Sequence, residues 1–170
     1  FYDFLKLRLV QGYCCLRRED FDGAVSLLEL TLRAGENMMP LHMVFLANFW
    51  VGRAHRKRGQ YELALLHISA ARASAQQAKA LKLVAAAKID ESWLLFHKGK
   101  RQQAFQLLDE AEAELQSTGH VLSLGNIESA RGRFVRRSGE YALALSHFER
   151  AIAIYSVGYS NHTNCARALV

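Results

Sequence analysis

Four alanines, Ala24, Ala64, Ala104 and Ala144, stand 40 residues apart with no slippage. A fixed interval of this length commits a chain to a row of like units, each too small to bury its apolar face without a neighbour. The same interval relates Gly12, Gly52, Ser92 and Gly132, all small, and Leu28, Ile68, Leu108 and Phe148, all large and apolar. Thr31, Ala71, Ala111 and Ala151 form a third small column. There is one proline, Pro40, and the stretches between glycines carry Ala, Leu, Arg, Glu, Lys and Gln with apolar residues three and four apart. That is the pattern of helix throughout, without a strand signal. Small residues let two helices approach closely, and a large residue one turn on fills the space beside them, so the unit is an antiparallel helical hairpin. Its turn falls at Gly59, Gly99 and Gly139, where a helix ends in the left-handed region. The first unit reads Arg18-Glu19-Asp20-Phe21 at that place, without glycine but with the aromatic that Tyr61 and Tyr141 repeat; Arg101 is the matching departure in the third unit.

The expected helices run from about Phe1 to Arg18, Phe21 to Ala34, Leu41 to Arg58, Tyr61 to Gln77, Lys79 to Lys98, Arg101 to Ser117, His120 to Arg137 and Tyr141 to Ser156. They divide one array, 1–170, into units of about 1–40, 41–80, 81–120 and 121–160, with a partial fifth helix pair from about 159. The ninth helix stops short at Val170 and the first begins at Phe1 without methionine, which leads us to expect a piece of a longer protein. Repeat ends left bare by such cuts would invite self-association.

The order small, aromatic, alanine, large apolar, alanine resembles the tetratricopeptide repeat (TPR), over four units from Phe1 to about Ser156. Two departures stand out. The unit is 40 residues where the family's is about 34, and the family's helix-closing proline is replaced by Glu36, Gln76, Gln116 and Ser156. Six extra residues over two helices add nearly one turn to each. Units this long are similar to the repeat arrays of bacterial signal-transducing and transcriptional regulators, including maltose-regulator-type activators. The resemblance implies an all-α fold, a right-handed superhelical solenoid of antiparallel hairpins in which the first helix of each unit lines the concave face. It also implies protein–protein interaction without catalysis or cofactor.

The residues themselves offer no catalytic arrangement. There is no phosphate-binding Gly-x-x-x-x-Gly-Lys loop, no Gly-x-Ser-x-Gly elbow and no His-Glu-x-x-His. Asp109, Glu110, Glu112 and Glu114 lie on a second helix, expected to face outward as a solvated surface, and Asp90 and Glu91, adjacent on a helix, diverge. His67 and His147 recur at a multiple of the repeat interval and are expected to serve packing, not ligation. Three cysteines, Cys14, Cys15 and Cys165, lack the paired spacing of a zinc site, so no metal is expected, and reduced thiols point to the cytoplasm. The sequon at Asn161 is discounted for want of a signal peptide, and no apolar run approaches the length of a membrane span.

Lys and Arg number 22 against 16 Asp and Glu, a formal charge of +6. The inward stripe of the first helices, toward their C-terminal halves, comprises Tyr13, Leu16 and Arg17; Arg53, Arg56 and Lys57; Trp93, Phe96 and His97; and Arg133, Arg136 and Arg137. Seven of these twelve are cationic and none is acidic, where the chain's average would supply one or two. Cations favour helix C-termini, but the second helices end with few, so helix-end preference explains only part of the excess. A basic groove for an acidic protein or peptide, with Trp93 and Phe96 as aromatic anchors, is the expected function. The alternative is a sensor segment of a bacterial transcription regulator that meets an anionic effector or nucleic acid. No nucleic-acid motif accompanies the stripe, which disfavours the latter contact.

Overall fold

The computed structural model describes residues 1–116 and 120–158, about 85% of them helical, with no strand among them. The helices are α1 (Tyr2–Arg17), α2 (Phe21–Ala34), α3 (Leu41–Lys57), α4 (Tyr61–Gln77), α5 (Leu81–His97), α6 (Arg101–Gln116), α7 (Val121–Arg137) and α8 (Tyr141–Gly158). All eight expected helices are present within two residues at each end; the ninth lies outside the described residues. The fold is all-α, of TPR-like hairpins. The chain forms two compact units, Phe1–Ala87 and Lys88–Val170.

The small and large columns meet across each hairpin. A methyl group added to Gly52 on α3 would stand 2.7 Å from Ile68 Cγ1 on α4, and one on Gly132 of α7 would stand 2.7 Å from Phe148 Cε1 on α8. Gly12 on α1 faces Leu28 on α2 in the same way, at 2.5 Å. Real carbons do not approach so closely, so these helices pair at a distance only glycine allows. Ser92 and Leu108, the corresponding residues of the third hairpin, are both wholly buried, as are Ala24, Ala64 and Ala104.

One turn geometry closes all four hairpins. The amide of the third residue past each first helix donates back to the carbonyl of Cys15, His55, Leu95 or Val135, and the amide before it to Leu16, Arg56, Phe96 or Arg136. This paired bonding satisfies the last carbonyls of the helix and requires a left-handed residue at the turn. Gly59, Gly99 and Gly139 take it with φ of 74°, 78° and 85°. Glu19, at the place where the sequence lacks glycine, adopts the same conformation with φ 64°. The glycine is lost there and the turn is kept, because Asp20 also caps α2 by accepting from the Gly23 amide at 2.9 Å.

In the first unit Leu5, Leu9, Leu28, Met43, Ala47 and Val51 form the core, with Trp50 and Phe21 packed at its margin. The second unit buries Leu108, Leu115, Ile127, Phe134 and Tyr155. Each fully buried side chain of this size contributes about 1.5–3 kcal/mol. The Tyr155 ring occupies the space that Gly125 leaves, and its hydroxyl donates to Asn126 Oδ1 at 2.8 Å.

Candidate functional site

The basic stripe lies on the last turns of the first helices. In the first unit α3 carries Arg53, Arg56 and Lys57 at the spacing of one helical face; Lys57 is exposed and the two arginines are half-buried. Arg53 spreads its guanidinium over the Phe49 ring, 4.3 Å from the centroid, a contact that helps hold the cation in place. Arg17 is exposed at the end of α1. Tyr13 stacks obliquely on Trp50 at 4.9 Å. Trp50 escaped the sequence reading, although it stands three residues before Arg53 on the same face.

In the second unit α5 and α7 bring Trp93, His97 and Arg137 together. The Trp93 and His97 rings lie 3.7 Å apart, and Arg137 donates to the His97 ring. Arg133, Arg136 and Arg137 are exposed, and Arg133 donates to Ser129 Oγ at 3.0 Å. Phe96 goes elsewhere: its ring stacks on the buried Phe134 at 4.4 Å, nearly parallel, which makes it a packing residue apart from Trp93.

A second polar pattern went unseen in the sequence. Residues 48, 88 and 128, again 40 apart, are Asn48, Lys88 and Glu128, and all three are buried within first helices. Each finds its partner on the second helix of its own hairpin. Asn48 Oδ1 lies 3.0 Å from His67 Nδ1; Lys88 donates to Glu110 and Glu114 at 3.1 and 2.9 Å; Glu128 lies 2.9 Å from His147 Nδ1 and accepts from Arg150 at 2.7 Å. Arg131 adds bonds to Glu128, Asp109 and Glu112 at 2.6–2.8 Å. The acidic residues of α6, expected to be a merely solvated face, are thus counter-ions for two cations that the fold buries. Burial pushes the Glu128 carboxyl up, but hydrogen bonds from His147, Arg150 and Arg131 outweigh it and hold the group at about 2, below the ordinary 4.5. Those carboxylates in turn hold the Arg131 guanidinium charged against its own burial.

His67 and His147 occupy equivalent places, as their spacing implied, each against the buried polar residue of the first helix. Around His67, however, the first unit assembles Glu29, His55 and His67, one donor atom from each lying within 4.8 Å of the others. Glu29 and His55 were absent from the sequence reading because the three residues come from three different helices and share no spacing motif. Cys14 and Cys15 are free thiols; Cys165 lies outside the described residues.

No protein-family model and no curated protein matches the chain. Solved structures do. BtubC (BKLC) from P. vanneervenii superposes with a TM-score of 0.75 at 18% identity, over 91% of this chain and 65% of BtubC. This chain therefore spans about two thirds of the length of BtubC. The nearly identical TPR-like repeats of a Podosopora anserina protein of kinesin-light-chain type give a TM-score of 0.69 at 17% identity, covering 99% of this chain and 86% of that one. A variant of the same protein gives 0.70 at 18%, covering 96% and 81%. The chain is a TPR-like repeat protein in fold.

Proposed function

We propose that this chain is a protein-interaction scaffold whose basic first-helix surfaces take an acidic segment of a partner, without catalysis of its own. TPR-like repeats commonly serve interaction, which supports the general class. The observation that carries the acidic partner is the asymmetry of helix ends in the later hairpins: α3 and α7 end in His55, Arg56 and Lys57 and in Arg136 and Arg137, whereas α4, α6 and α8 have no basic residue in the last turn; in the first hairpin α1 and α2 carry one each, Arg17 and Arg33. Macrodipole preference would act on first and second helices alike. Exposed ion pairs are worth about 0–1 kcal/mol each, so the arginines supply steering, and an apolar anchor against Trp93 supplies most of the affinity. The free thiols Cys14 and Cys15 suit a cytoplasmic setting, and no helix among the described residues is long and apolar enough to cross a membrane.

The test is titration with Asp/Glu-rich peptides that carry one leucine or phenylalanine. Binding should weaken from low to physiological salt. Arg133→Glu with Arg136→Glu should slow association, while Trp93→Ala should mainly speed dissociation. Unchanged kinetics in both variants would remove the stripe as the binding face. Preference for a polyanion over every acidic peptide would support instead the sensor segment of a transcription regulator.

A further inference from the structure

The geometry points to a binding site for a divalent transition metal, of which Zn²⁺ is the type, formed by Glu29 of α2, His55 of α3 and His67 of α4. His55 Nε2 and His67 Nε2 lie 4.0 and 3.8 Å from the same oxygen, Glu29 Oε1. These distances are too long for hydrogen bonds. They are within an ångström of the separation of about 3.3 Å that tetrahedral zinc with bonds of about 2.0–2.1 Å sets between its ligand atoms.

The far sides of both rings are committed. Asn48 Nδ2 donates to the Val44 carbonyl at 3.1 Å, which leaves the amide oxygen to face His67 Nδ1 at 3.0 Å. An oxygen there accepts, so His67 Nδ1 carries the proton. Gln60 Oε1 stands 2.7 Å from His55 Nδ1, and the Gln60 backbone N–H donates to the His55 carbonyl in the hairpin turn, which holds the Gln60 main chain beside the ring. A metal-ligating imidazole is neutral, and with its proton at Nδ1 directed outward each ring would turn an Nε2 lone pair toward the Glu29 carboxylate oxygen. Three acceptors then converge, and a cation is what satisfies them together. An imidazole whose outer nitrogen donates to an amide oxygen is the arrangement that fixes metal-ligating histidines. Burial and the neighbouring His55 also push His67 below its ordinary value against the pull of Glu29, which favours the neutral ligand form.

His55 lies in the last turn of α3, where the helix end favours positive charge. Its side chain and that of His67 are 6% and 17% exposed and that of Glu29 is 35% exposed, so the histidines are sheltered and a path from solvent remains. The repeat does not copy this set. Shifted by 40 residues the positions read Ser69, Leu95 and Leu107; shifted by 80 they read Asp109, Val135 and His147. Packing alone therefore did not require it. A metal here would join the second helix of the first hairpin to both helices of the second.

The experiment uses the chain with Cys14, Cys15 and Cys165 replaced by serine, titrated with Zn²⁺ by calorimetry and with Co²⁺ by visible absorption. One equivalent should bind, with the absorption of a four-coordinate nitrogen/oxygen site, and thermal unfolding should shift upward with free Zn²⁺. Glu29→Gln, which keeps shape and removes the anionic ligand, should weaken binding at least tenfold, as should Asn48→Ala through loss of ring orientation. His147→Gln, at the matching place in the other unit, should leave affinity unchanged. Equal affinity in Glu29→Gln and the parent would overturn the site, as would the absence of stoichiometric uptake. So would Nδ1 and Nε2 protons on both histidines near neutral pH, the signature of a cationic pair neutralised by Glu29.

Discussion

The two compact units use one packing rule and two different polar solutions. Gly52 against Ile68 in the first and Gly132 against Phe148 in the second are the same contact, and the turns at Gly59 and Gly139 close with the same bonds. At the buried polar position the units part. Asn48 in the first faces His67 in a neighbourhood of imidazoles and one carboxylate; Glu128 in the second sits among Arg131, His147 and Arg150. Repeat packing constrains the volume between helices. It leaves the chemistry of a buried polar residue open, provided the second helix of the hairpin supplies its complement.

The sharpest way to break this comparison is to remove the central residue of each cluster. Glu128→Ala should cost about 3 kcal/mol, because it strips Arg131, His147 and Arg150 of the carboxylate they share, even though Asp109 and Glu112 still compensate Arg131. Asn48→Ala, which orphans only a neutral imidazole N–H, should cost about 1–2 kcal/mol. Urea unfolding of the two variants measures the gap, and equal losses would mean that the network carries no more than the amide does.

Acid should separate the units next. Glu128 has its folded value depressed to about 2 from 4.5. Its contribution, roughly 3 kcal/mol, is therefore complete above pH 4.5 and is lost as pH falls through about 2. His67 is depressed below 6.5, so the unfolded chain takes up its proton first, and the first unit weakens as pH drops below 6.5. Unfolding followed residue by residue in nuclear magnetic resonance spectra should show the first unit loosening at milder acidity than the second. Simultaneous loss across both windows would contradict the contrast.

The smallest effect tests what the units share. Glu19 pays the strain of a left-handed residue that Gly59, Gly99 and Gly139 avoid. Glu19→Gly should stabilise the chain by about 0.5–1 kcal/mol in thermal unfolding, whereas no gain would indicate that the Glu19 backbone is relaxed.

Much of the fold was legible because its signals are local or strictly periodic. Helix ends, glycine turns and the facing small and large columns each follow from a residue and its neighbours at known offsets. Half of the stripe was legible too, as Arg53, Arg56 and Lys57 or Arg133, Arg136 and Arg137 share a face by spacing alone. Trp50 beside Tyr13 was not, nor was the turn of Phe96 toward Phe134. Those pairs depend on how one helix is rotated against another, and no offset within either helix records it.

The sequence by itself determined the hairpin, its length and its turn, since a 40-residue interval of small residues admits close helix pairing and little else. Only the tertiary structure decided which polar groups meet. Glu29, His55 and His67 are 26 and 12 residues apart on three helices, and Arg131 reaches Asp109 and Glu112 from 22 and 19 residues away. Their convergence exists only after the apolar columns have brought the helices together. Burial then turns neighbours into partners, because a polar group removed from water must find its complement among whatever residues the packing has placed within reach.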